Sequence, residues 1–165
     1  MDADFAGLWG HEDPEDPVSV RSRTGYVICL GGAPIVWGSK LQTETASSTM
    51  MAEYIALSAS MRVLLPIKNM VDEITGVFSI DRDRLGRVRV WEDNAGCLAL
   101  AKMKEPQVTP ASKFYAIKLH WFKEQLEPHK IELHKIETDV QLADLWTKPF
   151  GRERFEELRK LVCGW

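Results

Sequence analysis

The chain has little cysteine, and what it has is scattered. Cys29, Cys97 and Cys163 are odd in number, far apart and without CxxC spacing, so neither a disulfide frame nor a zinc site is indicated. Reduced thiols fit a cytosolic or nuclear setting. No apolar run approaches the roughly 18 residues that a membrane span needs, and no secretory signal opens the chain, so the expectation is a soluble domain with no membrane partner. Positive charge is not in excess either: 21 Lys and Arg stand against 24 Asp and Glu, net −3, which does not advertise a nucleic-acid binder. No serine triad is evident. Gly31-Gly32 lacks the following helix and lysine of a phosphate-binding loop. There is no internal repeat and no interdomain linker.

What remains is an ordinary globular composition, 45% hydrophobic and 27% charged over 165 residues, enough for one domain with a real core. The charge is uneven. Residues 1–86 hold 7 Lys/Arg and 12 Asp/Glu, whereas residues 87–165 hold 14 and 12. Seven lysines and four acids lie between Lys102 and Lys135, a mild basic face compatible with phosphate contacts but also with a solvated surface.

Met1 to Gly7 reads as the end of a short strand running into a loop, and Gly10 to Pro17 as an acidic, proline-rich surface loop. Thr24–Leu30 and Ile35–Lys40 form a hairpin around Gly31-Gly32. A helix follows to about Thr75, which Pro66 should kink or divide. Arg87 to Trp91 alternates as a strand ending at Glu92-Asp93; Asn94 to Met103 is a short helix. Ser112 can cap a helix from Lys113 to Glu127, with Phe114, Ile117, Trp121 and Phe122 apolar and Lys113, Lys118 and Lys123 off that side. Ile131 to Ile136 is a strand, Asp139 can cap a helix containing Asp144, and Arg152 to Val162 is a last amphipathic helix. The order βββαβααβαα predicts an α/β fold, a mixed sheet flanked by helices.

In the long helix Met50, Tyr54, Leu57, Met61 and Leu64 draw one apolar stripe, and Glu53 sits beside it. A buried acid is costly unless paired, hydrogen-bonded or bound to a metal. Glu53 is therefore either a boundary residue reaching water or part of a site with companions. Asp93 stands at the carboxyl end of its strand, the edge where open α/β sheets bind ligands. Asp2 lies on the first strand and Asp144 among Leu142, Ala143, Leu145 and Trp146. Each alone reads as a cap or turn acid. Together they could converge, and clustered carboxylates gain by sharing a divalent cation. Oxygen-only ligands suit Mg²⁺ or Mn²⁺ rather than zinc, and two such ions support phosphodiester hydrolysis.

The segments Asp2-Ala-Asp-Phe-Ala-Gly, Arg23-Thr-Gly-Tyr-Val, Ser48-Thr-Met-Met-Ala-Glu-Tyr-Ile-Ala-Leu, Glu92-Asp93-Asn94 and Gln141-Leu-Ala-Asp-Leu-Trp-Thr-Lys148 together resemble the ribonuclease H domain of Ty1/copia-type retrotransposon Pol polyproteins. The resemblance runs in order over nearly the whole chain. It implies a single ribonuclease H domain over residues 1–165, a five-stranded mixed sheet in order 3-2-1-4-5, and cleavage of the RNA strand of RNA–DNA hybrids. It places catalytic, metal-binding acids at Asp2, Glu53, Asp93 and Asp144, with two Mg²⁺ ions for which Mn²⁺ can substitute. In that scheme Asp2 and Asp93 flank both ions, Glu53 holds the ion nearer the leaving group and Asp144 the one carrying the nucleophile. Partners would be the hybrid and a reverse transcriptase domain of the same polyprotein, with the isolated chain a monomer. The setting would be cytoplasmic, in a virus-like particle, or nuclear.

Several positions depart from the resemblance. The first strand looks clipped before Asp2, with Asp4 as an alternative ligand; Met51 stands where an acid or polar residue is common; Ser112-Lys113-Phe114 replaces Thr-Lys-His. Thr138 occupies the place of a mobile histidine in cellular ribonucleases H, and neither His134, on a strand, nor His120 is assigned as a proton shuttle. Lys113, Lys118 and Lys123 are candidates for phosphate contacts, and Arg21, Ser22 and Asn94 for weaker backbone or hydroxyl contacts. The alternatives are a catalytically inactive ribonuclease H-like module that binds nucleic acid or protein, a transposase or integrase core, and a purely structural domain.

Overall fold

The computed structural model describes residues 1–13, 15–81, 86–103 and 113–165, with side chains described from 117 onward in the last span. The cap expected at Ser112 and the side chains of Lys113 and Phe114 lie outside the described residues. Five strands and four α-helices follow in chain order: β1 (Asp2–Asp4), β2 (Arg23–Leu30), β3 (Ala33–Leu41), α1 (Thr49–Val77), β4 (Val88–Glu92), α2 (Ala95–Lys102), α3 (Lys113–Leu126), β5 (Ile131–Lys135) and α4 (Arg152–Cys163). Between β5 and α4 the chain makes two 3-10 turns, Thr138–Val140 and Leu142–Trp146.

The strands lie in two hydrogen-bonded sheets. β1, β2 and β3 are antiparallel in that spatial order, and β4 and β5 are parallel. The hairpin between β2 and β3 turns through Gly31 and Gly32 at φ 59° and 86°, the two positive values that a tight type I′ turn requires. β1 is three residues long and pairs along its length with β2. Among the described residues one hydrogen bond joins β1 to β4, from the Met1 amino group to Trp91 O at 3.2 Å. Met1 O in turn accepts from Gln141 Nε2 at 2.9 Å.

α1 packs on β1 and β2, and its buried side shares one core cluster with Ile131 and Leu133 of β5. Ser48 caps it, its hydroxyl accepting from Met51 N–H. Ala52, Tyr54, Ala56, Leu57 and Met61 are buried, and the small alanines let the helix lie close on β1 and β2 while α2 and α3 pack on it from elsewhere. Buried Gln42 ties this helix to the first sheet, donating to Ala52 O at 2.8 Å and Thr24 Oγ1 at 3.1 Å. The division expected at Pro66 does not occur, since α1 runs unbroken through it. Pro66 lies on the exposed side, where the carbonyl left without an N–H partner can turn to water. By length and composition α1 could also cross a membrane, but more than half of its most apolar stretch is buried inside this domain.

Two other expectations are corrected. Ile117 is not on the buried side of α3 but is 78% exposed, whereas Leu119 and Phe122 point inward. The phase of the helix is set by Phe122, which meets the Tyr54 ring edge-on at 6.1 Å. Asp144 lies not on an α-helix but in the second 3-10 turn, which Gln141 caps through Ala143 N–H. This turn rests on β2 at Gly25, where an added Cβ would meet Thr147 Cγ2 at 2.5 Å, Ala143 O at 3.0 Å and Trp146 Cβ at 3.1 Å. Only glycine allows that approach. Gly25→Val is expected to lower stability by about 1–3 kcal/mol, the usual cost of overpacking; urea unfolding checks this, and an unchanged midpoint would show that the turn does not rest on the strand.

Candidate metal centre

Asp2, Glu53 and Asp93 come from a strand of the first sheet, the long helix and the end of β4, and one carboxylate oxygen of each lies within 4.8 Å of the others. They open onto a polar cleft whose wall includes Asp4, Thr49, Asn94, Thr138 and Lys148. Glu53 is only 4% exposed, so it is not a boundary glutamate reaching water. The reason is packing: its neighbours Ala52, Tyr54 and Leu57 hold that part of α1 against the core.

Each acid is held differently. Asp2 Oδ2 accepts the hydroxyl of Thr147, and its Oδ1 lies 3.5 Å from Lys148 Nζ. Asp93 Oδ2 accepts from Thr138 Oγ1 at 2.8 Å. Among the described residues, Glu53 Oε2 and Asp93 Oδ1 are buried without a hydrogen-bond partner. Asp144 is buried beside Asp2 but stands outside the trio, with Lys148 Nζ on its Oδ1 at 2.9 Å. Asp4 shares the cleft, and its carboxylate lies so close over Gly7 that an added Cβ there would meet Oδ2 at 1.6 Å.

The sequence reading passed over Glu92. It is fully buried at the end of β4, its Oε1 accepting Asn94 N–H at 2.9 Å and its Oε2 left without a partner. The alternation of β4 had already announced it, because Val88, Val90 and Glu92 are the inward phase of that strand. At an effective dielectric near 20, two carboxylates about 5 Å apart repel by about 3 kcal/mol. The protein answers by holding on to protons. Burial first, then the charges of Glu92, Asp2 and Asp93, raise Glu53 far above the usual carboxylate range. Burial raises Glu92 to about 7 against the opposing Asn94 N–H. Asp144 rises to about 6, again by burial, with the Lys148 hydrogen bond opposing. Cys97, buried against Glu92, is pushed up in the same way and stays a thiol.

All-oxygen ligands from three elements, two of them with a buried unpaired oxygen, are what a hard divalent cation satisfies. Asp2, Glu53 and Asp93 fit one directly. Asp144 could join only from the side of Asp2 now taken by Lys148.

The nucleic-acid candidates are placed as follows. Arg21 is half-buried beside Ser22, which is fully buried with its hydroxyl accepting from Ala6 N–H at 3.2 Å. Ser22 therefore holds the loop after β1 and does not face solvent. Asn94 is at the cleft but spends its Oδ1 capping α2 on Cys97 N–H. Lys118 pairs with Glu44, and Lys123 donates to Met103 O. His134 is engaged with Glu132 at 3.2 Å and Trp91, and His120 is exposed; neither joins the trio.

The raised carboxyls set a pH dependence. Glu92 and Asp144 bind protons more tightly folded than unfolded, so their stabilising contribution is complete below their unfolded values of 4.5 and 3.8. It is lost as pH rises through about 6 and about 7. Metal-free protein should melt progressively lower from roughly pH 5 to 8, and millimolar Mg²⁺ or Mn²⁺ should raise the midpoint most at the alkaline end. Thermal melts in chelator and in metal check both; a flat metal-free profile would contradict the buried charge.

The chain is 30% identical over 161 residues to the retrovirus-related Pol polyprotein from transposon TNT 1-94 of Nicotiana tabacum, covering 98% of this chain and 11% of that protein. It is 32% identical over 162 residues to the corresponding polyprotein from transposon RE1 of Arabidopsis thaliana, and 30% over 162 residues to that from transposon RE2. The chain thus spans 10 to 11% of the length of the curated relatives it matches. No family model and no solved structure matches it. Its homologues are Pol polyproteins of transposons, to which it is similar along nearly its whole length.

Proposed function

We propose that residues 1–165 are the ribonuclease H domain of a Ty1/copia-type retrotransposon Pol polyprotein, cutting the RNA strand of RNA–DNA hybrids with divalent metal. The observation that carries the proposal is the trio Asp2, Glu53 and Asp93, which bring one carboxylate oxygen each within 4.8 Å of one another, with Glu53 Oε2 and Asp93 Oδ1 buried and unpaired among the described residues. The homology to Pol polyproteins supports it. The fold is taken as the five-stranded arrangement 3-2-1-4-5, with the Met1–Trp91 bond as the link between β1 and β4.

Asp2, Glu53 and Asp93 would hold Mg²⁺ or Mn²⁺, and Asp144 would contribute beside Asp2. Bound metal supplies the Lewis acidity that activates a water and stabilises the departing 3′ oxygen. The protein's part is to fix the acids. Thr147 and Thr138 orient the Asp2 and Asp93 carboxylates, leaving Asp93 Oδ1 unpaired among the described residues and Asp2 Oδ1 beside Lys148. Packing on α1 keeps Glu53 dry, where charge interactions are stronger. Products would carry a 5′-phosphate and a 3′-hydroxyl. Hybrid recognition would rest on shape and 2′-hydroxyls, with Arg21, Asn94 and the lysines of α3 as phosphate or sugar contacts. Lys118 would first have to leave Glu44. A reverse transcriptase domain of the same polyprotein would share the substrate, in a cytoplasmic particle or the nucleus.

Asp93→Asn should reduce Mg²⁺-dependent cutting of a labelled hybrid by at least about a hundredfold, the scale of losing a key electrostatic group, with the circular dichroism spectrum unchanged. DNA duplex should be left intact by both proteins. Undiminished cleavage by a folded Asp93→Asn protein would remove the assignment.

A further inference from the structure

Lys148 is the one cation that touches the acid cluster from within the cleft among the described residues. Its ammonium lies 2.9 Å from Asp144 Oδ1 and 3.5 Å from Asp2 Oδ1, bridging the only two of the four expected ligands that have no unpaired buried oxygen. Burial works against its charge, but the Asp144 hydrogen bond and the charges of Asp2 and Asp144 outweigh it and keep it protonated. The cluster is thus divided. Glu53 and Asp93 have no cation within ion-pair distance among the described residues, whereas Asp2 and Asp144 share the Lys148 ammonium.

We propose that Lys148 is a built-in counter-ion at the second cation position, so that divalent metal loads in two unequal steps. The inference rests on the metal-binding reading above. The first ion enters the trio, where Glu53 and Asp93 offer unpaired oxygens with no cation on them. The second, between Asp2 and Asp144, enters only when the Lys148 ammonium leaves, because a point charge and a divalent ion cannot share the same two oxygens. The exit is available. The lysine side chain is 31% exposed, in contrast to its two acid partners at 1% and 4%, and its flexible four-carbon stem can turn the ammonium out of the cleft. Asp144 and Lys148 are four residues apart, with Thr147 between them holding Asp2 and the turn seated on Gly25. The carboxylates are therefore held by the fold, while the partly exposed cation between them has a path to solvent.

This makes Lys148 a positioning residue for the resting state. It keeps Asp2 and Asp144 apart in charge when only one ion is present, and it sets the metal concentration at which the second site fills. If the ammonium occupies its place about nine-tenths of the time, the second ion binds about tenfold more weakly than the bare site would allow.

Mn²⁺ binding to the purified chain, followed by the loss of free-ion electron paramagnetic resonance signal at neutral pH, tests this. Wild type should show one ion bound first and a second about tenfold or more weaker. Lys148→Gln should leave the first affinity unchanged and strengthen the second by about tenfold, while Lys148→Arg, which keeps the charge, should behave like wild type. Circular dichroism establishes that each variant is folded, and a misfolded glutamine variant leaves the arginine comparison and Lys148→Met to decide. Equal second-ion affinity in wild type and the folded neutral variant would overturn the inference while leaving metal binding intact. No ion bound in any of the proteins would overturn the metal reading itself.

Discussion

The constraint on which this domain turns is that acids from separate elements are pressed together out of water. Asp2, Glu53, Asp93, Asp144 and Glu92 are gathered where the first sheet, the second sheet and α1 meet. Such a grouping costs free energy unless something positive shares it. The apolar stripe of α1 supplies the force that brings Glu53 there, and close packing of Ala52 and Ala56 keeps the helix tight on the sheet. In the metal-free protein the cost is reduced by proton binding, by Lys148 and by the buried Met1 amino group. Stability and function therefore oppose each other at this spot, a pattern common where a site must be ready before its ligand arrives.

Two layers of support keep the acids aimed. Hydroxyls do the near work: Thr147 on Asp2 and Thr138 on Asp93. Backbone geometry does the rest, through Glu92 on Asn94 N–H, Asn94 on the start of α2, and Gly25 under the turn that carries Asp144. The supporting groups are uncharged where they face the ligands, apart from Lys148 and Glu92. That leaves the charge of the site to be decided by the carboxylates themselves.

Much of this was legible in the sequence. The hairpin, the helix with Glu53 on its apolar stripe, the strand ending at Asp93 and the final helix all follow from periodicity and punctuation, and they lie within a residue or two of the structure. Convergence of Asp2, Glu53 and Asp93 was also readable, because strand ends and one helix face leave few places for them to meet. What escaped was tertiary. The phase of α3 depends on the Tyr54–Phe122 contact, so Ile117 could be turned outward despite its hydrophobicity. The 3-10 turn at Asp144 depends on a glycine more than a hundred residues earlier. Glu92 was visible as the inward phase of β4 but was overshadowed by the acid beside it. At Pro66 the helix is not divided, because the carbonyl without an N–H partner lies on an exposed face.

One hydrogen bond, from Met1 N–H to Trp91 O, spans the boundary between the two sheets. Asp2 stands next to that bond on one side and Asp93 two residues beyond it on the other. Any opening of the boundary therefore stretches the distance between two of the proposed metal ligands. Sheet closure and ion affinity are then reciprocally linked: an ion held by both carboxylates acts as a clasp across the seam, and whatever stiffens the seam tightens the grip on the ion by the same factor. On the proposed reading, the rigidity of the sheet boundary is itself a determinant of metal affinity.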